Sequence, residues 1–120
     1  MAKRILVVDD EADFVALVKA KFEPEFVVIT AANGEEGLKK ALAHPPDLIL
    51  ADIIMPKMSG HQMLRVLKTT FRTRAIPFVI LTAVDEAVSV HWASELGTVE
   101  YLTKPVRLED LEKVVRRHVG

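Results

Sequence analysis

The sequence predicts a single α/β domain built on a doubly wound parallel sheet, because five short apolar runs recur along it with segments of helical spacing between them. The runs are Ile5 to Val8, Phe26 to Ile29, Leu48 to Ala51, Phe78 to Leu81, and a weaker one from Val99 to Leu102. Their unbroken apolar character, rich in Val and Ile, suits strands buried on both faces. Helical spacing relates Phe14, Leu17, Val18 and Phe22 in the first intervening segment, Leu38, Ala41 and Leu42 in the second, and Met63, Leu64, Leu67 and Phe71 in the third. Ala87, Val90 and Ala93 mark a fourth helix, and Leu108, Leu111 and Val115 a fifth. Turn residues punctuate the joints at Asn33-Gly34, Pro45-Pro46-Asp47, Ser59-Gly60 and Gly97. Strict alternation through five units calls for right-handed crossovers with helices on both faces, a three-layer sandwich.

A chain of 120 residues suits one domain, here residues 1–120. Half the residues are hydrophobic and 28% are charged, which excludes disorder. Sixteen basic against 17 acidic residues leave a net charge of −1, so there is no global field for nucleic acid and no direct contact with it is expected. The absence of cysteine excludes disulfides, thiolate chemistry and cysteine-based zinc sites. The apolar run after the basic Met1 to Arg4 is too short for a signal peptide, and no run is long enough to span a bilayer. The chain is therefore read as cytoplasmic, with no membrane contact.

In an open parallel sheet, ligands bind beyond the carboxyl ends of the strands. The first run ends in Asp9-Asp10, the third in Asp52 and the fourth in Thr82, while Thr103-Lys104-Pro105 follows the fifth. Asp52 and Thr82 are 30 residues apart and Thr82 and Lys104 are 22 apart, each interval holding one helix and one strand, as a parallel crossover requires. Three converging carboxylates raise one another's pKa unless a cation is present, and hard oxygen ligands suit Mg²⁺, or Mn²⁺ in its place. The other residues then fit phosphoryl transfer. Asp52, alone at its strand end, is the nucleophile; Lys104 is a point cation for the transferred group, and Thr82 donates a hydrogen bond to it.

Each of these residues has an ordinary explanation taken singly. Asp9 and Asp10 can cap a helix, Asp52 can serve a turn before Met55-Pro56, Thr82 can be a cap, and Lys104 a solvated lysine. Their convergence on one sheet edge does not. His44, His61, His91 and His118 lie on different helices without metal-ligand spacing. Gly34-Glu35-Glu36-Gly37 is too acidic for a phosphate loop and reads as a helix start. The basic cluster Lys113, Arg116 and Arg117 suits the C-terminal end of a helix dipole. Trp92 shares the outer face of the fourth predicted helix with Val88 and Glu95, a candidate partner contact.

These residues resemble the CheY-like receiver domains of two-component response regulators along essentially the whole chain. The matching stretches are I-L-V-V-D-D at Ile5 to Asp10, D-I-I-M-P-K-M-S-G at Asp52 to Gly60, L-T-A at Leu81 to Ala83, and G-T-V-E-Y-L-T-K-P at Gly97 to Pro105. The resemblance implies a flavodoxin-like sheet in the order 2-1-3-4-5, with Asp52 accepting a phosphoryl group from a histidine kinase or phosphotransfer protein. It implies a metal site of Asp10, Asp52 and the backbone carbonyl of Ile54, with Asp9 acting mainly through water. It also implies a switch pair, Thr82 and Tyr101, a cis bond before Pro105, and an output surface of fourth helix, fifth strand and fifth helix that meets an effector or a second copy.

Ile54 and Val84, two residues after Asp52 and Thr82, are apolar where polar side chains would help position an attacking water. They predict a long-lived phosphorylated state. Three other functions compete. A flavin-binding electron carrier needs neutral donors where this chain has Asp9, Asp10, Glu11 and Asp13. An aspartate-nucleophile phosphatase carries its nucleophile in a D-x-D pattern on the first strand, which Asp9-Asp10-Glu11 lacks. A phosphorylation-independent interaction domain need not retain every pocket residue, and this chain does.

Overall fold

The computed structural model describes residues 2–52, 60–83 and 99–120, with the backbone alone described at 60, 61, 82, 83 and 99. Strands β1 (Arg4–Val8), β2 (Val27–Ala31), β3 (Leu48–Asp52), β4 (Phe78–Ala83) and β5 (Val99–Lys104) form one sheet in the order β2-β1-β3-β4-β5, every pair parallel. Helices α1 (Ala12–Phe22), α2 (Gly34–Ala43), α3 (Gly60–Lys68) and α4 (Leu108–Val119) accompany it. The last of these is the fifth helical segment of the sequence. The fourth, with Ala87, Val90, Trp92 and Ala93, lies outside the described residues, as do Ile54 and Val84.

Alternation along the strands builds two cores. Ile5, Val7, Leu48, Leu50, Val79 and Leu81 pack with Val18 and Phe22 of α1 and Leu111 and Val115 of α4. Their neighbours Leu6, Val8, Ile49, Ala51, Phe78 and Ile80 point the other way, onto Ala41 of α2 and Met63, Leu64 and Leu67 of α3. Each large apolar side chain so buried contributes about 1.5–3 kcal/mol, whereas an exposed ion pair contributes about 0–1 kcal/mol. The two apolar layers therefore hold the fold.

Three expectations about burial need correction. β2 and β5 are edge strands, so the second and fifth runs are not buried on both faces: Val27 and Tyr101 are exposed. Leu17 is exposed too, because the stripe on α1 that meets the sheet is set by Phe14, Val18 and Phe22, spaced four apart, and Leu17 falls on its flank. Phe71 belongs to no apolar face. α3 ends at Lys68, where the Thr69 and Thr70 hydroxyls donate to the carbonyls of Arg65 (2.7 Å) and Val66 (2.6 Å), and Phe71 lies beyond it, 79% exposed, with the Arg74 guanidinium 4.9 Å from its ring centre.

The inner position at that helix end is taken by Lys68. Its buried ammonium donates to the carbonyls of Ile76 (2.5 Å) and Arg74 (3.2 Å), and burial pushes its pKa down. It ties the connection between α3 and β4 to the helix.

α2 starts where Asn33 accepts the Glu36 backbone N–H on its side-chain oxygen at 2.9 Å, an N-cap followed by acidic residues in the first turn. Gly37 then lets the helix approach β1 closely. A Cβ at this position would stand 2.8 Å from Val8 Cγ2 and 3.0 Å from Met63 Sδ. Helix propensity alone favours alanine over glycine by about 1 kcal/mol, but Val8 and Met63 are both fully enclosed and overpacking costs roughly 1–3 kcal/mol. Gly37→Ala is expected to lower unfolding free energy by about 1 kcal/mol, read from urea midpoints at unchanged slope; a stabilised variant contradicts this packing.

Candidate functional site

Strand register brings the acidic residues together. Val8 is paired with Ala51, so Asp9, one residue beyond β1, comes alongside Asp52, the last residue of β3. On the other side Asp52 pairs with Leu81, Thr82 with Thr103, and Ala83 with Lys104, which ends β5. One oxygen atom each from Asp9, Asp10 and Asp52 lie within 4.8 Å of one another.

Asp9 is held from both sides. Its backbone N–H donates to the Ala31 carbonyl at 3.1 Å, extending the ladder between β1 and β2. Its Oδ1 accepts the Glu11 N–H at 2.9 Å, and its Oδ2 accepts from Lys104 Nζ at 3.1 Å. Lys104 Nζ also donates to Asp52 Oδ2 at 3.0 Å and to Glu11 Oε1 at 2.7 Å, and lies 5.5 Å from the centre of the Phe14 ring. The Lys104-Pro105 peptide bond is cis.

Opposing forces set the charges. Burial of Asp9 raises its pKa and outweighs the lowering from the Glu11 N–H and from Lys104; the neighbouring Asp52 adds to the rise. Burial likewise pushes the Lys104 ammonium down, but the hydrogen bonds from Glu11, Asp52 and Asp9 together exceed it, and the lysine is held above its ordinary range. Lys104 is thus a fixed cation, and Asp9 a carboxylate that gives up its proton less readily than it would in water. The arrangement can receive a further hard cation on its carboxylates and an anionic group beside Lys104.

Of the other residues read from the sequence, Asp10 is exposed beside the cluster, and Thr82 is placed by its backbone at the same end of β4. Tyr101 projects to solvent from β5, and the Ile54 carbonyl and Val84 lie outside the described residues. Two further members lie outside the residues that the sequence marks as a site: Glu11, an acid unsuited to a flavin phosphate, bonds Lys104, and Phe14, which also packs against the core, places its ring centre 5.5 Å from the same ammonium. The signal available for Glu11 was its place at the start of α1, immediately after the paired aspartates.

Comparison with known proteins gives a consistent result. The family model of the response regulator receiver domain matches residues 5–116. The chain is 42% identical over 106 residues to the alkaline phosphatase synthesis transcriptional regulatory protein PhoP of Bacillus subtilis, an alignment covering 88% of this chain and 43% of that protein. It is 38% identical over 113 residues to protein PilH of Pseudomonas aeruginosa, covering 93% of each. The chain thus spans under half the length of the first relative and nearly all of the second. Its fold superposes on the chemotaxis response regulator CheY4 of Vibrio cholerae with a TM-score of 0.89 at 27% identity over 98% of both chains.

The raised pKa of Asp9 has a testable sign. From its ordinary value of 3.8 up to the raised folded value, the native state binds more protons here than the unfolded state, so this group's contribution to stability falls as pH rises. Asp9→Asn removes that contribution. With divalent ions chelated, the stability of the variant relative to wild type is expected to improve as pH rises from the ordinary carboxylate value of 3.8; urea unfolding at several pH values measures it, and a flat or declining difference contradicts the burial effect.

Proposed function

The chain belongs to the response regulator receiver domain family of two-component signalling, and on that premise we propose that residues 1–120 act as one phosphoacceptor unit, taking a phosphoryl group on Asp52 from a histidine kinase or phosphotransfer protein. The observation that carries this reading is the Asp52 carboxylate at the end of β3, with Lys104 Nζ 3.0 Å away and the Asp9 and Asp10 carboxylates beside it. A carboxylate oxygen of Asp52 attacks phosphorus, the P–N bond to the donor imidazole breaks, and its electron pair returns to the ring nitrogen, which takes up a proton. The product is an acyl phosphate on Asp52. Lys104 balances charge on the phosphoryl oxygens, and Thr82 donates a hydrogen bond to one of them.

The donor set fits Mg²⁺ or Mn²⁺, being hard oxygens whose mutual repulsion a divalent cation relieves. Asp10 and Asp52 would hold the ion together with the Ile54 carbonyl. Both Asp9 oxygens already accept hydrogen bonds, which supports contact through water for that residue. Such an ion supplies charge neutralisation for the incoming phosphoryl group.

Thr82 and Tyr101 form the switch: the hydroxyl moves toward the phosphoryl group and the exposed ring of Tyr101 turns inward. β5, α4 and the fourth helical segment then present a changed surface to an effector or a second copy. Among the described residues no helix is long and apolar enough to cross a membrane. The proposed setting is the cytoplasm, with no direct nucleic-acid contact by this domain.

Treatment with acetyl phosphate and Mg²⁺ is expected to add a single phosphate by intact mass, and Asp52→Ala or chelation of the metal to abolish it. An adduct that survives Asp52→Ala sinks the assignment. Because Ile54 and Val84 offer no polar group to an attacking water, the adduct is expected to decay over minutes or longer after the donor is removed; decay within seconds contradicts a lifetime set by these residues.

A further inference from the structure

Lys104 carries three N–H donors, and its three carboxylate contacts use them: Asp9 at 3.1 Å, Asp52 at 3.0 Å and Glu11 at 2.7 Å. A phosphoryl group on Asp52 cancels the anionic contact of that carboxylate with the ammonium, and for a further phosphoryl oxygen to reach Lys104 either Asp9 or Glu11 must withdraw as well. Desolvation decides which. The Asp9 side chain is fully buried and that of Asp52 is 13% exposed, whereas Glu11 is 63% exposed. Leaving a buried carboxylate unpaired is far more costly than returning an exposed one to water. Glu11 also has somewhere to go, because Glu11, Phe14, Lys104, Pro105 and Val106 line an open surface groove. Its backbone stays in place during such a move, since its N–H is bound by Asp9 Oδ1.

We propose that Glu11 is a placeholder anion, occupying one ammonium hydrogen of Lys104 in the resting protein and yielding it to the incoming phosphoryl oxygen. The proposal rests on Asp52 being the phosphoacceptor. Glu11 is on this account a positioning residue that acts through Lys104. It keeps the lysine aimed into the pocket and sets a threshold that an anion must exceed.

The test uses the full chain with Mg²⁺ and beryllofluoride, a mimic of the phosphoryl group, titrated calorimetrically. Glu11→Gln keeps the size of the side chain and removes its charge, and is expected to bind the mimic roughly two- to fivefold more tightly than wild type. A residue that merely supported the fold would weaken binding instead. Asp13→Asn makes the same change of charge on the exposed start of α1, and Asp13 makes no ion pair with Lys104 among the described residues; it is expected to bind like wild type. Unchanged or weaker binding by Glu11→Gln, or an equal gain in Asp13→Asn, overturns the placeholder role while leaving the phosphoacceptor reading intact. Failure of the wild type itself to bind beryllofluoride with Mg²⁺ overturns both.

Discussion

One ammonium group closes the carboxyl edge of this sheet. Parallel strands deliver their ends to the same side, and here adjacent strands deliver Asp9 and Asp52 to neighbouring positions. Unit charges about 4 Å apart repel by roughly 4 kcal/mol near a protein surface. Lys104 answers that repulsion from the far edge strand, reaching past β4 to bind residues of β3 and the loop after β1. Elements far apart in the chain, with Lys104 and Asp9 separated by 95 positions, are joined electrostatically at the place where chemistry would occur.

The rest of the molecule divides into rigid floor and adjustable rim. Beneath the site the central strands are buried on both faces, and Leu111, Val114 and Val115 anchor α4 against them. At the rim, contacts are polar and exposed: Arg117 holds Glu100 of β5 by two bonds of 2.6 and 2.7 Å, His118 approaches the same carboxylate, and Arg116 binds Glu25. Such exposed pairs contribute little individually, so they orient α4 on a face whose stability comes from the apolar layer below. Tyr101 lies on that same rim strand.

Much of this was legible in the sequence because the central strands are unbroken apolar runs, and because Asp9, Asp52 and Lys104 each follow such a run closely. What escaped did so for definable reasons. Val27 looks as apolar as Val7, but burial depends on having a neighbour on each side, which only the sheet order supplies. Phe71 continues the spacing of Met63, Leu64 and Leu67, yet α3 ends at Lys68, where the Thr69 and Thr70 hydroxyls bond the carbonyls of Arg65 and Val66, and Phe71 lies beyond it. Glu11 resembles any acid at a helix start; its contact with Lys104 crosses 93 residues and exists only after β5 has taken its place beside β4.

The alternation of the strands ties correct folding to competence. A slip of β5 by one residue against β4 would turn Leu102 from the core to solvent and carry Lys104 away from Asp52 in the same movement. The misaligned chain would display apolar surface of the kind chaperones and proteases recognise, and it would lack the cation that the proposed phosphoryl transfer needs. Chains in the wrong register would be silent as signals and conspicuous as substrates for removal, so that errors of assembly are not passed on as messages.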